Sequence, residues 1–127
     1  MNRFRSDKGA AAVEFAIVLV PLILLVMGII DFGRAYNQQL EITSAAREGA
    51  RVMAIQPHSS SAARAATIAA ANGLSPSLTN GQITISNCTA GQPVTVAVTY
   101  PLESATGWFD ELFGGNLTAT AVMRCEA

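Results

Sequence analysis

The feature that most constrains this chain is one long apolar segment near its N-terminus. Between Gly9 and Ile30 the only charged residue is Glu14. As an α-helix, residues 10–30 would be roughly 32 Å long, about the thickness of the hydrocarbon core of a bilayer. The sequence therefore predicts a membrane-spanning helix over residues 10–31, with a short basic segment before it (residues 1–9) and a region of domain size after it (residues 32–127).

The basic residues predict how this helix is oriented. Arg3, Arg5 and Lys8 precede the apolar segment, whereas Arg34 is the only basic residue in the first dozen after it. The positive-inside rule then places the N-terminus in the cytoplasm and exports residues 32–127. A cleaved secretory signal peptide is the alternative, but its apolar core is usually about 7–15 residues and is followed by a small-x-small cleavage site. Residues 28–31, Gly-Ile-Ile-Asp, provide no such site.

Glu14 is the residue in the apolar segment that most needs an explanation. A carboxylate in a membrane helix costs about 2.5–3.5 kcal/mol at the bilayer centre and less near the interface. Intramembrane acids are often functional, so Glu14 is a candidate functional residue. The alternative is a glutamate near the interface whose side chain reaches the cytoplasmic headgroups.

Residues 31–55 are expected to continue the same helix, because no helix-breaking residue separates them from the apolar segment. Pro57 disfavours helix at Gln56 and should end it there. Apolar and small residues recur at three- and four-residue spacing and predict one packing stripe: Phe32, Tyr36, Leu40, Thr43, Ala46, Ala50 and Met53.

The remainder of the chain predicts a short alanine-rich helix at residues 62–71 and three strands. Residues 82–86, 94–100 and 117–123 alternate with period two, and turn-forming residues separate the first two as a hairpin. The fold class is therefore α+β: a long N-terminal helix packed on a small antiparallel sheet of about three strands. The connection before the last strand should include a short helix covering the end of the sheet, because it contains Trp108, Phe109, Leu112 and Phe113.

Cys88 and Cys125 are the only cysteines. In an exported domain an even pair suggests a disulfide, while a reduced pair or two buried thiols is the alternative. In a meander ordered one-two-three, two strand spacings, roughly 9.5 Å, would separate them, beyond disulfide reach. Either Cys88 curls over in its turn, or the third strand lies beside the first.

Small and basic residues on the long helix mark a candidate helix interface at Arg47, Gly49 and Arg51. Small residues allow close approach of another backbone, either from the chain's own sheet or from another subunit. Arg47 and Arg51 lie four residues apart on one side of the helix. They either face a partner or are simply solvated.

Several function classes find no support in the sequence. The net charge of −1 and the absence of a basic stripe argue against nucleic-acid binding. No nucleophile motif, phosphate-binding loop or metal-ligand spacing occurs, and His58 is the only histidine. We therefore expect no enzyme activity, no cofactor, no metal and no small-molecule substrate.

Two groups of residues carry a resemblance to a known family. Lys8-Gly9 followed by Glu14-Phe15 resembles the leader of type IV pilin-like proteins, and the alanine-rich residues before Glu14 look like the Flp (tight adherence) branch. Residues 31–36 (Asp-Phe-Gly-Arg-Ala-Tyr) and 45–51 (Ala-Ala-Arg-Glu-Gly-Ala-Arg) are similar to the signature of TadE-like minor pseudopilins. The resemblance covers about residues 8–55.

The resemblance implies a pilin-like fold and a non-enzymatic role in a Flp type IV pilus at the bacterial inner membrane. A prepilin peptidase would remove residues 1–9 as a leader by cutting between Gly9 and Ala10, and Glu14 and Phe15 would serve subunit assembly. The implied partners are the membrane, the peptidase, other pilin or pseudopilin subunits and the assembly machinery. The alternative is an unprocessed, single-pass membrane-anchored periplasmic scaffold or binding domain.

Overall fold

The computed structural model describes residues 3–107, 110–111 and 114–126, with side chains from residue 7 onward. Helix α1 covers Arg3–Ile55, 53 residues, or about 80 Å at the standard rise. It therefore begins some eight residues earlier than the sequence predicted and includes most of the basic segment. Pro21 lies inside α1, and the helix continues through it. The helix ends next to Gln56, as expected from Pro57.

The rest of the described chain forms one short helix, a 3₁₀ turn and a sheet. Helix α2 covers Ser60–Ala70, and the 3₁₀ turn covers Asn80–Gln82. The strands are β1 (Ile83–Ile85), β2 (Pro93–Pro101) and β3 (Asn116–Arg124), in the spatial order β1-β2-β3. Both pairs are antiparallel. The predicted α+β class, a long apolar N-terminal helix with a short helix and a three-stranded antiparallel sheet, is confirmed.

The core lies between the C-terminal half of α1, helix α2 and one face of the sheet. The long helix contributes mainly small residues to it, and β2 contributes Val96, Val98 and Tyr100. Gly49 shows how close the approach is. A Cβ atom there would collide with the Thr67 hydroxyl of α2 and lie 3.4 Å from Val96 Cγ1. Small residues on α1 therefore allow both α2 and the sheet to pack against it.

The buried face of α1 differs from the predicted stripe near the apolar segment. Phe32, Tyr36 and Leu40 are 73%, 62% and 53% exposed, whereas Asp31 and Ile42 are buried. The stripe is thus correct at Ala46, Ala50 and Met53 and wrong at its three largest members. Each residue advances the helix by about 100°, so a sheet that covers Ile42 faces Asp31 and leaves Leu40 on the opposite side.

Cys88 and Cys125 form a disulfide with their Cα atoms 5.8 Å apart, which confirms the predicted bond. Because the strand order is β1-β2-β3, the first of the two predicted routes applies: Cys88 curls over in its turn. The turn is held by two backbone hydrogen bonds. Gly91 N donates to Cys125 O (3.2 Å), and Cys125 N donates to Gln92 O (2.9 Å).

The short helix expected in the connection between β2 and β3, covering the end of the sheet, remains a prediction. Asp110 and Glu111 are helical. Trp108, Phe109, Leu112 and Phe113, on which the prediction depended, lie outside the described residues.

Candidate functional site

The four residues singled out near the N-terminus all lie on one exposed stretch of α1. Gly9, Ala10, Glu14 and Phe15 have exposed side chains or, for Gly9, an exposed backbone. Among the described residues, no side chain lies within 4 Å of a Cβ built on Gly9, and Phe15 is 67% exposed. No described residue donates a hydrogen bond to Glu14. These residues are consequently free to contact other molecules without any change in the fold.

The apolar segment that contains them is exposed along its length. Among the described helices, α1 is the one long and apolar enough to cross a membrane: its most apolar 18-residue window has a mean hydropathy of 2.8 and no buried residue. An exposed apolar surface of this extent is unfavourable in water and fits a helix surrounded by lipid or by other apolar helices.

The exposed apolar surface continues past the segment into the domain. Phe32, Tyr36 and Leu40, which we call the outer ridge, are spaced four residues apart and therefore lie along one side of α1. They follow directly on Ile29, which is 64% exposed. Single exposed apolar residues are common, but three large ones in line with an apolar helix surface form a contiguous patch.

Asp31 fixes the domain to the end of the apolar segment. It is only 5% exposed, and its Oδ1 accepts a hydrogen bond from Ala105 N (2.8 Å) while its Oδ2 accepts one from Thr106 Oγ1 (2.7 Å). This role of Asp31 was not predicted from the sequence. The available signal was an acid that ends the apolar segment immediately before Phe32, since a buried carboxylate requires donors.

Replacing Asp31 by Ala should release residues 104–107 from α1. The Ala105 amide would lose a charged acceptor, so its hydrogen-exchange rate should rise by roughly 10- to 100-fold. Exchange measured by mass spectrometry on the detergent-solubilised chain checks this. Thr106→Val is the matched control, because it removes the other hydrogen bond and leaves the acceptor of Ala105 in place. Equal Ala105 exchange in wild type and Asp31→Ala would contradict the assigned role.

A cavity of about 670 Å³ lies between this end of α1 and the start of β3. Leu25, Ile29 and Phe32 form its α1 wall, and Leu102 and Leu117 lie opposite. The walls are almost wholly apolar, and the carboxylate of Asp31 is already occupied by its two donors. The cavity therefore suits an apolar group and lacks the convergent polar groups of a small-molecule site.

The candidate helix interface at Arg47, Gly49 and Arg51 is divided by the fold. Gly49 is buried against Thr67 of α2, so it serves packing within the chain. Arg51 pairs with Glu48 through its Nη2 (2.6 Å) and Nε (3.0 Å), and this hydrogen-bonded guanidinium lowers the pKa of Glu48. Arg47 and Arg51 are exposed, and a partner-facing role for them remains a prediction. Within the described part of the chain, no three His, Cys, Asp or Glu side chains cluster as a metal site would require.

Together these features fit the class of α+β proteins anchored to a membrane by an N-terminal helix that also forms part of the domain. Residues 9–51 match the model of the family described as TadE-like protein, so the resemblance of this segment to the TadE-like family is confirmed. The match begins at Gly9 and ends within α1, and it supports a role associated with the Tad pilus. No curated protein and no solved structure gives a significant match.

Proposed function

We propose that this chain is a non-enzymatic minor pseudopilin, a structural or assembly component of a Flp (tight adherence) type IV pilus. The proposal rests on one observation: the segment that matches the family and the exposed apolar surface of the molecule are the same part of α1. The TadE-like segment, residues 9–51, contains the exposed apolar segment, its single acid Glu14 and the outer ridge. The parts of the molecule left free for other subunits are thus within the segment typical of the family.

Glu14 provides the specific chemistry of the proposal. Cleavage between Gly9 and Ala10 creates a new ammonium group at Ala10, next to lipid. The carboxylate of Glu14 in a neighbouring subunit would pair with this ammonium and neutralise both charges. Unpaired charges in a membrane are costly, so the pair favours association and fixes the axial position of one helix against the next.

The outer ridge extends the same contact beyond the membrane. A neighbouring helix that packs along residues 10–30 would meet Phe32, Tyr36 and Leu40 next, because the exposed surface is continuous. Burial of three large side chains stabilises an interface through the hydrophobic effect, which inside the lipid contributes little between helices. On this view Glu14 sets the position of the subunit and the outer ridge supplies affinity.

The alternative function, an unprocessed membrane-anchored periplasmic scaffold, is favoured by no specific observation in the structure, although it shares the anchor and the domain. The two proposals differ at the N-terminus of the mature chain, which is Ala10 for the pseudopilin and Met1 for the scaffold. The intact mass of the membrane-extracted protein distinguishes them.

Gly9→Leu should block the removal of residues 1–9. Prepilin-type processing requires the glycine, and because no described atom lies within 4 Å of a Cβ built on Gly9, the substitution should leave the fold intact. In a host that has the peptidase, wild type should begin at Ala10 and the variant at Met1, as read by intact mass.

Gly33→Leu is the matched control, because Gly33 is also a glycine of α1 with nothing within 4 Å. It should be processed normally. A wild-type chain that still begins at Met1 in such a host would overturn the proposed processing.

A further inference from the structure

The two edges of the sheet differ in how their backbone groups are used. At the β1 edge the strand has only three residues, and Arg64 Nη1 donates to the outward-facing carbonyl of Ile83 (2.5 Å) as well as to Asn80 O (2.9 Å). A short strand capped by a charged side chain is a poor template for another strand. The β1 edge is therefore protected.

The β3 edge is long and largely unprotected. The hydrogen bond from Cys125 N to Gln92 O and the register Ala121↔Val96 direct the backbone groups of Ala119 and Ala121 toward β2. Those of Thr118, Thr120 and Val122 consequently point outward. Gln39 Nε2 donates to Thr118 O (3.0 Å), which agrees with this geometry. The outward N–H and C=O groups of Thr120 and Val122 have no partner among the described residues.

The central part of β3, residues 117–123, has none of the usual features that protect an edge. The one charged residue of the strand, Arg124, lies at its end, where its Nε donates to Gly91 O (3.2 Å). Residues 117–123 contain no charged residue and no proline, and they include two threonines and one valine, residue types that favour strands. Val122 is 61% exposed. Natural edge strands commonly carry lysine, proline or a bulge that prevents pairing with another strand. We call Thr118, Thr120 and Val122 the free edge.

One side of α1, which includes Tyr36 and Gln39, lies next to the free edge. Gln39 reaches Thr118 O, so it marks the side of α1 that faces this edge. Tyr36 precedes Gln39 by three residues and shares that side, with 62% of its surface exposed. The apolar cavity lined by Phe32 and Leu117 lies at the end of this edge that is nearer the apolar segment. A strand added to β3 would therefore form backbone hydrogen bonds with the free edge and contact the aromatic ring of Tyr36 on α1.

We propose that the free edge of β3 accepts an extended, uncharged segment of a different protein as a fourth strand. This inference rests on the proposed function, since it identifies one surface by which the pseudopilin would bind an assembly partner. Main-chain hydrogen bonds supply the affinity in such strand addition, and the side-chain pockets supply the specificity. An uncharged segment fits because residues 117–123 offer no charge to complement.

The direction of β3 argues against antiparallel pairing with a second copy of this chain. β3 runs in the same direction as α1: Asn116 and Leu117 line the cavity with Leu25, and at the other end Glu126 N donates to Ala54 O (3.2 Å). Antiparallel pairing of β3 with β3 of a second copy would point the two apolar segments in opposite directions. Two copies anchored in one membrane point the same way. The β1 edge of a second copy is capped by Arg64.

Hydrogen exchange of the full-length chain tests the proposal, because strand addition protects every second amide. In the purified chain in detergent, the amides of Ala119 and Ala121 should exchange slowly and those of Thr120 and Val122 quickly. In complexes isolated from native membranes in mild detergent, exchange at Thr120 and Val122 should slow by about 100-fold or more. Equal rates at Thr120 and Val122 in the two samples would overturn the proposal.

A pair of variants shows whether the outward N–H is responsible. Thr120→Pro removes that N–H and leaves the bonds to β2 intact, since proline is tolerated on edge strands. Thr120→Val keeps the N–H and is the matched control. Val122 should lose its protection in the complexes of the proline variant and retain it in those of the valine variant. Protection that survives Thr120→Pro would overturn the proposal.

Two other outcomes separate this inference from its alternatives. Protection of Thr120 and Val122 that appears in the purified chain and rises with its concentration would identify a second copy as the occupant and overturn the proposal. The proposed function is tested separately by piliation of a strain that lacks the chain. Normal piliation would overturn the pilus role, whereas the alternating protection would still demonstrate a bound strand.

Discussion

Removing the Cys88–Cys125 disulfide should lower the free energy of unfolding of the domain by about 4 kcal/mol. The bond closes a loop with a sequence separation of 37, and the chain-entropy model gives roughly this value for such a loop. Small domains are stable by about 5–15 kcal/mol, so the loss is a large fraction of the total. The corresponding fall in the unfolding midpoint is roughly 15–30 °C for a domain of this size.

The double variant Cys88→Ala, Cys125→Ala is the suitable form of this test. Cys125 is buried beside Met53, Ala54 and Val94, where a serine hydroxyl would be left without a partner. Thermal unfolding of the full chain in detergent, followed by circular dichroism, measures the shift, and wild type treated with a reductant is the control. An unchanged midpoint, or two thiols that alkylate freely in the native protein, would contradict the prediction.

Glu14→Ala should abolish assembly with other pilin-like subunits while leaving membrane insertion intact or improved. Insertion should improve because a charge is removed from an apolar helix. The domain should be unaffected, since Glu14 lies about 25 Å along α1 from Asp31, where the domain begins. Loss of assembly would therefore report on a partner and not on folding.

Piliation and co-purification with other subunits measure this effect, and the mature mass shows that processing still occurs. Glu14→Gln is the matched control for shape, because it keeps the size and hydrogen-bonding capacity of the side chain without its charge. It should fail as Glu14→Ala does if charge pairing is the mechanism. Normal piliation in the Glu14→Ala strain would show that the glutamate is merely tolerated.

The fold could be predicted largely from local sequence patterns. The packing face of α1 was predicted wrongly near the apolar segment, because the largest apolar side chains there were assigned to the core. The helix, the sheet and the disulfide followed from the apolar segment, the period-two strands and the paired cysteines. The packing face of α1 did not follow, because large apolar residues normally mark the core. Here Phe32, Tyr36 and Leu40 are exposed, and the sheet instead covers Ile42 and small residues.

The candidate site shows the same division. Gly9 and Glu14 stand out by residue type, and the structure leaves both exposed. The contacts of Asp31 with Ala105 and Thr106 join residues more than 70 positions apart, so no local pattern could reveal them. The free edge of β3 likewise depends on strand order and register, which the sequence left open.

The continuity of α1 makes the anchor and the domain a single lever. No linker separates residues 10–30 from the half of the helix that packs on the sheet. At the end of the apolar segment, the hydrogen bond from Ala105 N to Asp31 Oδ1 holds the domain against α1. About 36 Å of helix extends from Asp31 to Ile55, so a tilt of about 20° in the bilayer displaces the far end sideways by about 12 Å. In the proposed pilus, reorientation of α1 among neighbouring subunits would therefore swing the whole sheet, and a pull on the domain would be transmitted along the helix axis to Glu14.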